Sequence, residues 1–211
     1  MINLVDSDII YRLAVCNLLD DTLAALDFVR SKVYVLPTAK YKFGITRRRR
    51  GIGEQRYGAE VFTRLRDFPA SVRELDVAGP SEEIRLLASI DGIDAGEAIL
   101  FTATAEYDRY LLTTGDKTSL RALAMSPVCL PIAQRMSRHV ICLEQIIKRL
   151  IQHFGFPYVR DKVVPVRACD TALSAAFGSG REATEPNVLA VLDSYINELR
   201  SLPVDVLAHL A

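Results

Sequence analysis

Three carboxylates stand where a chain could gather them around a cation. Asp6 ends the apolar run "INLVD", Glu97 lies in "DAGEAILF", and Asp116 follows "RYLLTT". Carboxylates crowded together repel one another, so they keep protons or hold a positive ion. Mg²⁺ and Mn²⁺ prefer oxygen ligands of this kind. A cation so held activates water and stabilises negative charge on a phosphate during hydrolysis. Asp8 and Asp94 are close enough in the chain to join such a set. Each acid also has a plain helical reading: Asp6 and Asp116 as N-caps, Glu97 as a complement to a helix dipole. The metal reading requires all three to meet on one edge of the fold.

A second cluster carries the opposite charge. Lys40, Lys42, Arg47, Arg48, Arg49, Arg50 and Arg56 crowd one stretch, with Glu54 the acid among them and Tyr41, Phe43 and Tyr57 interleaved or just beyond. Clustered cations attract phosphates, and aromatic rings stack on unpaired bases. The same pattern also suits a solvated loop or a face that pairs with a partner's acids. Net charge adds nothing, because Lys+Arg and Asp+Glu balance at 26 each. The four cysteines, Cys16, Cys129, Cys142 and Cys169, form no CxxC pair and read as buried thiols in a reducing cytosol. His139 and His153 read as structural. Ser174, Ser179 and Thr184 sit in no nucleophile elbow, and "GSG" is a turn.

The elements that must position these residues follow from periodicity. Buried strands are expected at 2–5, 33–36, in "RYLLTT" and in "RHVICL". Helices are expected over "SDIIYRLAVCNLLDD", with Ser7 or Asp8 as cap, then "TLAALDFVRS", "AEVFTRLRDF", "SEEIRLLASI", 95–107, "DKTSLRALAM" and "EQIIKRLIQHF". Thr38 is expected to cap a short helix that Gly44 ends, and "ITRRRRGIGEQRYG" to be exposed with little regular pattern. Alternating strands and helices imply an α/β fold with a mainly parallel central sheet and helices on both faces. Residues 157–211 read as a C-terminal helical extension to a domain at 1–156, docked on it or joining two copies as a homo-oligomer. In a parallel sheet Asp6 and Asp116 both fall at the strands' C-terminal ends, and a helix starting near Glu97 begins on that rim.

The segments "LVDSDII", "DAGEAILFTATAEY" and "LLTTGDKTSL" resemble the PIN domain, a family of metal-dependent ribonucleases and related proteins. The likeness covers roughly residues 1–154 and implies a PIN-like three-layer sandwich. It places Asp6, Glu97 and Asp116 at the catalytic, metal-holding positions, with Mg²⁺ or Mn²⁺ as cofactor and RNA as substrate. One position departs from the pattern. The family usually has a second acid in the short helix after the second strand, where this chain has Lys40 and Lys42. Asp8, Asp94 or Glu54 are candidate replacements. A lysine could also neutralise the acids without metal, or grip an RNA phosphate. Small family members are often toxins of toxin–antitoxin pairs, so the resemblance allows an antitoxin or other protein partner.

Two other functions stay open at this stage. One is a PIN-like module that binds RNA or protein without cutting. The other is a haloacid-dehalogenase-like phosphatase with Asp6 as nucleophile, Asp8 as acid/base, and Thr38 and Gly115–Asp116 assisting. That scheme expects an Asp where Leu120 stands, and gives "DAGEA" no place. No apolar run approaches the ~20 residues that span a membrane, and an acid stands where a secretion leader is basic. A soluble, cytoplasmic protein is expected.

Overall fold

The central strand segments are mostly apolar because both faces of the sheet are covered, whereas the edge pair Arg73–Glu74 is charged and exposed. The computed structural model describes residues 1–46, 50–77, 79 and 81–210. Strand β1 (Ile2–Val5) leads to helices α1 (Ser7–Val15) and α2 (Leu19–Ala25). Strand β2 (Val33–Val35) is followed by α3 (Ala39–Lys42), α4 (Arg50–Tyr57) and α5 (Ala59–Ser71). Strand β3 (Arg73–Glu74) precedes α6 (Glu82–Ala88) and α7 (Ala95–Ala103). Strand β4 (Tyr110–Thr114) precedes α8 (Lys117–Met125) and α9 (Leu130–Arg135). Strand β5 (Val140–Cys142) runs into α10 (Leu143–Phe154). Helices α11 (Phe156–Val163), α12 (Thr171–Ala176) and α13 (Glu185–Arg200) complete the chain.

The five strands are all parallel, in the order β3-β2-β1-β4-β5. Val5 stands opposite Val35 on one side and Thr113 on the other. Side chains alternate between two cores, as a period of two requires. Val5, Val33, Val35 and Ile141 join residues of α1, α2, α5 and α10 on one face. Leu4, Leu112, Val140 and Cys142 join residues of α7, α8 and α9 on the other. The chain is thus an α/β fold with helices on both faces of its sheet. The polar strand residues Asn3 and Thr113 are buried and satisfy each other through a 2.8 Å hydrogen bond.

Residues beyond 156 pack onto this frame. Leu173, Val188 and Leu192 enter the first core, while Ile196, Leu199, Val206 and Leu207 enter the second. Leu207 forms a parallel bridge with Val140, flanked by hydrogen bonds from Val140 to Val206 and from Ala208 to Val140.

Several expected elements differ. The long first helix breaks at Asn17, whose φ of 53° ends α1, and α2 stops before Asp27, also at φ 53°. The segment expected to be irregular instead forms α4 from Arg50 onward. It packs on α5 because Gly53 lacks a Cβ: one there would meet the Phe62 ring at 2.5 Å and the Phe43 carbonyl at 2.7 Å. The α-helix expected over 95–107 ends at Ala103 and continues as a 3₁₀ turn. Helix α9 and helix α11, the latter with Pro157 in its first turn, had no strong periodicity to announce them.

Candidate functional site

The strand order reverses direction between β1 and β4. Helix α1 leaves β1 toward one face and α8 leaves β4 toward the other, at the carboxyl ends of these two strands. Parallel α/β sheets place ligands at such a point. Asp6 and Asp116 sit there because Asp6 follows β1 directly and Asp116 comes two residues after the end of β4. The Thr114 hydroxyl donates to Asp6 Oδ2 (3.3 Å) and accepts from the Asp116 amide (3.1 Å), tying the two loops together.

Helix α7 brings the third acid. Gly96 in its first turn lies against Leu36 at the end of β2, and Gly92, just before the helix, packs on Thr118 and Ala122 of α8. Glu97 accepts from the Asp94 amide through Oε2, and Asp94 accepts from the Glu97 amide, each at 2.8 Å. This is a capping box, with Glu97 at its third helical position. Asp116 caps α8 by accepting from the Thr118 amide (2.7 Å) and the Ser119 amide (3.1 Å) through Oδ1. The capping reading therefore holds for Glu97 and Asp116. Asp6 stands at the N-cap position of α1 without a side-chain cap bond of normal geometry.

The electrostatics separate Asp6 and Glu97 from ordinary surface acids. Both are buried. Burial first, then the charge of Asp8 and more weakly that of Asp94, push Asp6 up to about 6, against the pull of Lys42 and the Asp8 amide. Glu97 is pushed to about 8 by burial, with the charges of Asp116 and Asp94 adding to it; hydrogen bonds from the Asp94 amide and Ser119 oppose the shift. Asp94 thus lies within electrostatic reach of both acids. Among the described residues, no group of three His, Cys, Asp or Glu side chains is close enough together to hold a metal ion. The three predicted acids share one edge without being drawn into one ligand shell.

Lys42 fills the place where an acid was expected. Its ammonium lies 2.7 Å from Asp8 Oδ1. Burial lowers its pKa, but the Asp8 hydrogen bond and the charges of Asp8, Asp6 and Asp94 outweigh that, and the net shift is upward. Asp8, offered as a metal ligand or as a phosphatase acid/base, is therefore engaged by a cation of the chain itself. Lys40 pairs with Glu74 at 3.3 Å.

The proposed basic surface is only partly placed. Arg47, Arg48 and Arg49, and the side chain of Arg50, lie outside the described residues. Arg56 is exposed and lies over the Tyr57 ring at 5.1 Å. Of the aromatic residues suggested for base stacking, Phe43 is buried in the core, and Tyr57 packs on Tyr11 and Phe43. Tyr41 is the exposed one.

One feature of this edge was not singled out from sequence. Glu144 lies two residues after β5, in the first turn of α10, is fully buried, and pairs with Lys117 at 2.7 Å. Among the described residues, no nitrogen or oxygen donor reaches its Oε2. The signal was available: "VICLE" repeats the pattern of a buried strand closely followed by an acid. Compared with known proteins, the chain gives no significant match to any family model, curated protein or solved structure.

Proposed function

We propose that this chain is a PIN-type ribonuclease that hydrolyses RNA phosphodiester bonds with Mg²⁺ or Mn²⁺. The observation that carries the reading is the pair of buried carboxylates, Asp6 and Glu97, at the edge where the strand order reverses, both held above the usual carboxylate range by burial. Asp6 in particular is a buried acid whose hydrogen bond from Thr114 is long at 3.3 Å. The Lys42 charge does not offset its burial, and a hard divalent cation is a partner its chemistry suits. To hold the ion, Asp6, Glu97 and Asp116 would have to draw closer together than they stand here, with Asp94 nearby and Asp8 already paired with Lys42. A capping carboxylate keeps a second oxygen with which to ligate. When bound, the ion would supply water activation and neutralise charge on the phosphate. Thr114 orients Asp6, the capping box fixes Glu97, and the α8 cap fixes Asp116. Lys42 and Arg56, with the arginines that precede α4, would attract the RNA backbone.

A second reading rests on the Lys42–Asp8 ion pair. A lysine that neutralises the acids from within suits a module that binds RNA or a protein partner without cutting. Purified protein, incubated with single-stranded RNA in Mn²⁺ or in EDTA beside an Asp6→Asn variant, separates the two. Cleavage that is lost in EDTA and in the variant supports the nuclease. RNA retention with no cleavage in any arm supports the binding module. Turnover of a phosphate monoester in place of RNA would overturn both.

A further inference from the structure

One cation at the acidic edge lies outside the basic stretch. Arg12 sits in the second turn of α1, the helix that opens just after Asp6. Helical side chains lean toward the helix N-terminus, which turns Arg12 back toward the rim that carries Asp6. Gly115, between Thr114 and Asp116, marks where its guanidinium ends. A Cβ on that glycine would lie 2.4 Å from Arg12 Nη1 and 3.2 Å from its Cζ. The guanidinium thus rests on the loop that joins β4 to α8, and only a glycine leaves room for it there.

Asp170 holds the group in place. Its Oδ1 accepts from the amides of Ala172 (2.8 Å) and Leu173 (3.1 Å), and its Oδ2 lies 2.9 Å from Arg12 Nε. Asp170 is buried and caps α12, so it has little freedom to move. The ion pair leaves donors over. Among the described residues, neither Arg12 Nε nor Nη1 has a hydrogen-bond partner of normal geometry, although both atoms are buried. Buried donors of a charged group left in this way are unfavourable and ask for an acceptor. Lys42 and Lys117, on the same edge, each donate to a carboxylate of the chain. The Arg12 side chain as a whole keeps 20% of its surface open, so it is not sealed within the core. A planar fork of N–H donors matches the oxygens of a phosphate.

We propose that Arg12 binds a non-bridging phosphate oxygen of RNA at this edge, and that Asp170 is the residue that positions its guanidinium. RNA as the ligand rests on the ribonuclease reading; the contact itself needs neither metal nor cleavage.

Binding is measured apart from cleavage. The full chain is titrated into fluorescein-labelled single-stranded RNA in EDTA at several salt concentrations, and anisotropy is read. Arg12→Lys keeps the charge and loses the fork, and is expected to weaken RNA binding by ~10-fold. Arg12→Gln is expected to lower the slope of log affinity against log salt by about 0.7, the loss of one contact to a single strand. Asp170→Asn keeps a capping side chain without the charge that faces Nε, and is expected to weaken binding in the same direction. Gly115→Ala leaves every charge in place and pushes the guanidinium aside. It is expected to match Arg12→Lys in RNA affinity, to melt close to the wild type because a flexible side-chain end gives way, and to add nothing when the two changes are combined. An unchanged affinity and salt slope in Arg12→Gln would overturn the proposal even if the wild type cleaves RNA with Mn²⁺. So would a wild type that binds no RNA, including one that binds inorganic phosphate through Arg12 in calorimetry. RNA binding that depends on Arg12, with no cleavage in Mn²⁺, would uphold the contact and remove the nuclease reading. Should the Arg12 variants fail to fold, Gly115→Ala decides alone, and wild-type affinity in it would overturn the proposal.

Discussion

Asp6 and Glu97 make the pH response of this molecule a direct readout of its site. Burial and neighbouring acids raise Asp6 from 3.8 to about 6 and Glu97 from 4.5 to about 8. Folding therefore favours their protonated forms, and the unfolded chain ionises them more readily. The stability from this source is complete below the unfolded values and is lost as pH rises through about 6 for Asp6 and about 8 for Glu97. In EDTA, the melting temperature is expected to fall between about pH 4 and about pH 8 from this contribution. Asp6→Asn is expected to flatten the lower half of that curve and to stabilise the protein at neutral pH by up to roughly 3 kcal/mol. An unchanged or steeper curve in the variant would show that Asp6 is not the group that titrates. Mn²⁺ is expected to raise the melting temperature more at about pH 8 than at about pH 5.5, because protons compete for the same oxygens. Under the nuclease reading Asp6→Asn lowers RNA cleavage by ~100-fold or more, the loss of several kcal/mol of charge stabilisation. Lys42→Glu probes the departure from the family pattern. It removes the Asp8 partner and adds a negative charge near Asp6 and Asp94. Lower stability in EDTA and a larger Mn²⁺ response are expected. A variant no more responsive to Mn²⁺ than the wild type would place position 42 outside any cation site.

The elements that deliver the acids were legible in the sequence, as were α3 and α5 on either side of the basic stretch, but α4 within it was not. Strands β1 and β4 are short runs covered on both faces, so an apolar run closed by an acid located Asp6 and Asp116 almost to the residue. The capping box of α7 was missed although its spacing, an Asp three residues before a Glu, was plain; Asp94 was weighed only as a ligand. Helix α4 was unreadable for a physical reason. Its residues are mostly polar, and its close fit to α5 depends on the absence of a side chain at Gly53, which no periodicity records. Phe43 was mistaken for a surface ring because its charged neighbours set the local pattern, while its own side chain turns into the core. The α4–α5 contact can be checked directly. A Cβ at position 53 would meet both a ring and a backbone carbonyl well inside van der Waals contact. Gly53→Ala is expected to destabilise the fold by about 1–3 kcal/mol in urea unfolding, as overpacking does. A variant as stable as the wild type would mean that α4 does not lie against α5 in solution.

At the scale of the whole molecule, the C-terminal region is part of the cores that support the acidic edge. Tyr195 of α13 lies beneath the Lys117 ammonium, 5.1 Å from its ring centre, and Glu198 pairs with Arg121 of α8. Lys117 in turn holds the buried Glu144 beside β5. The end of α8 that carries Asp116 is thus braced by a helix distant in sequence, which no local reading of "GDKTSL" could foresee. Beyond α13 the chain returns to the sheet, where Val206 and Leu207 are fully buried and bridge to Val140 on β5. That return covers the open side of β5, whose free backbone groups would otherwise present an edge for pairing with another chain. If the segment is a structural part of the sheet, removing one side chain there should cost as much as removing one from the central core. Leu207→Ala is expected to destabilise the protein by about 2–5 kcal/mol, the range for a buried leucine that leaves a cavity. Urea unfolding measures it, with Leu112→Ala on the central strand β4 as the comparison, since both side chains are fully buried in the same core. A loss within about 0.5 kcal/mol of zero at position 207, beside a full loss at 112, would show the tail to be dispensable to the sheet.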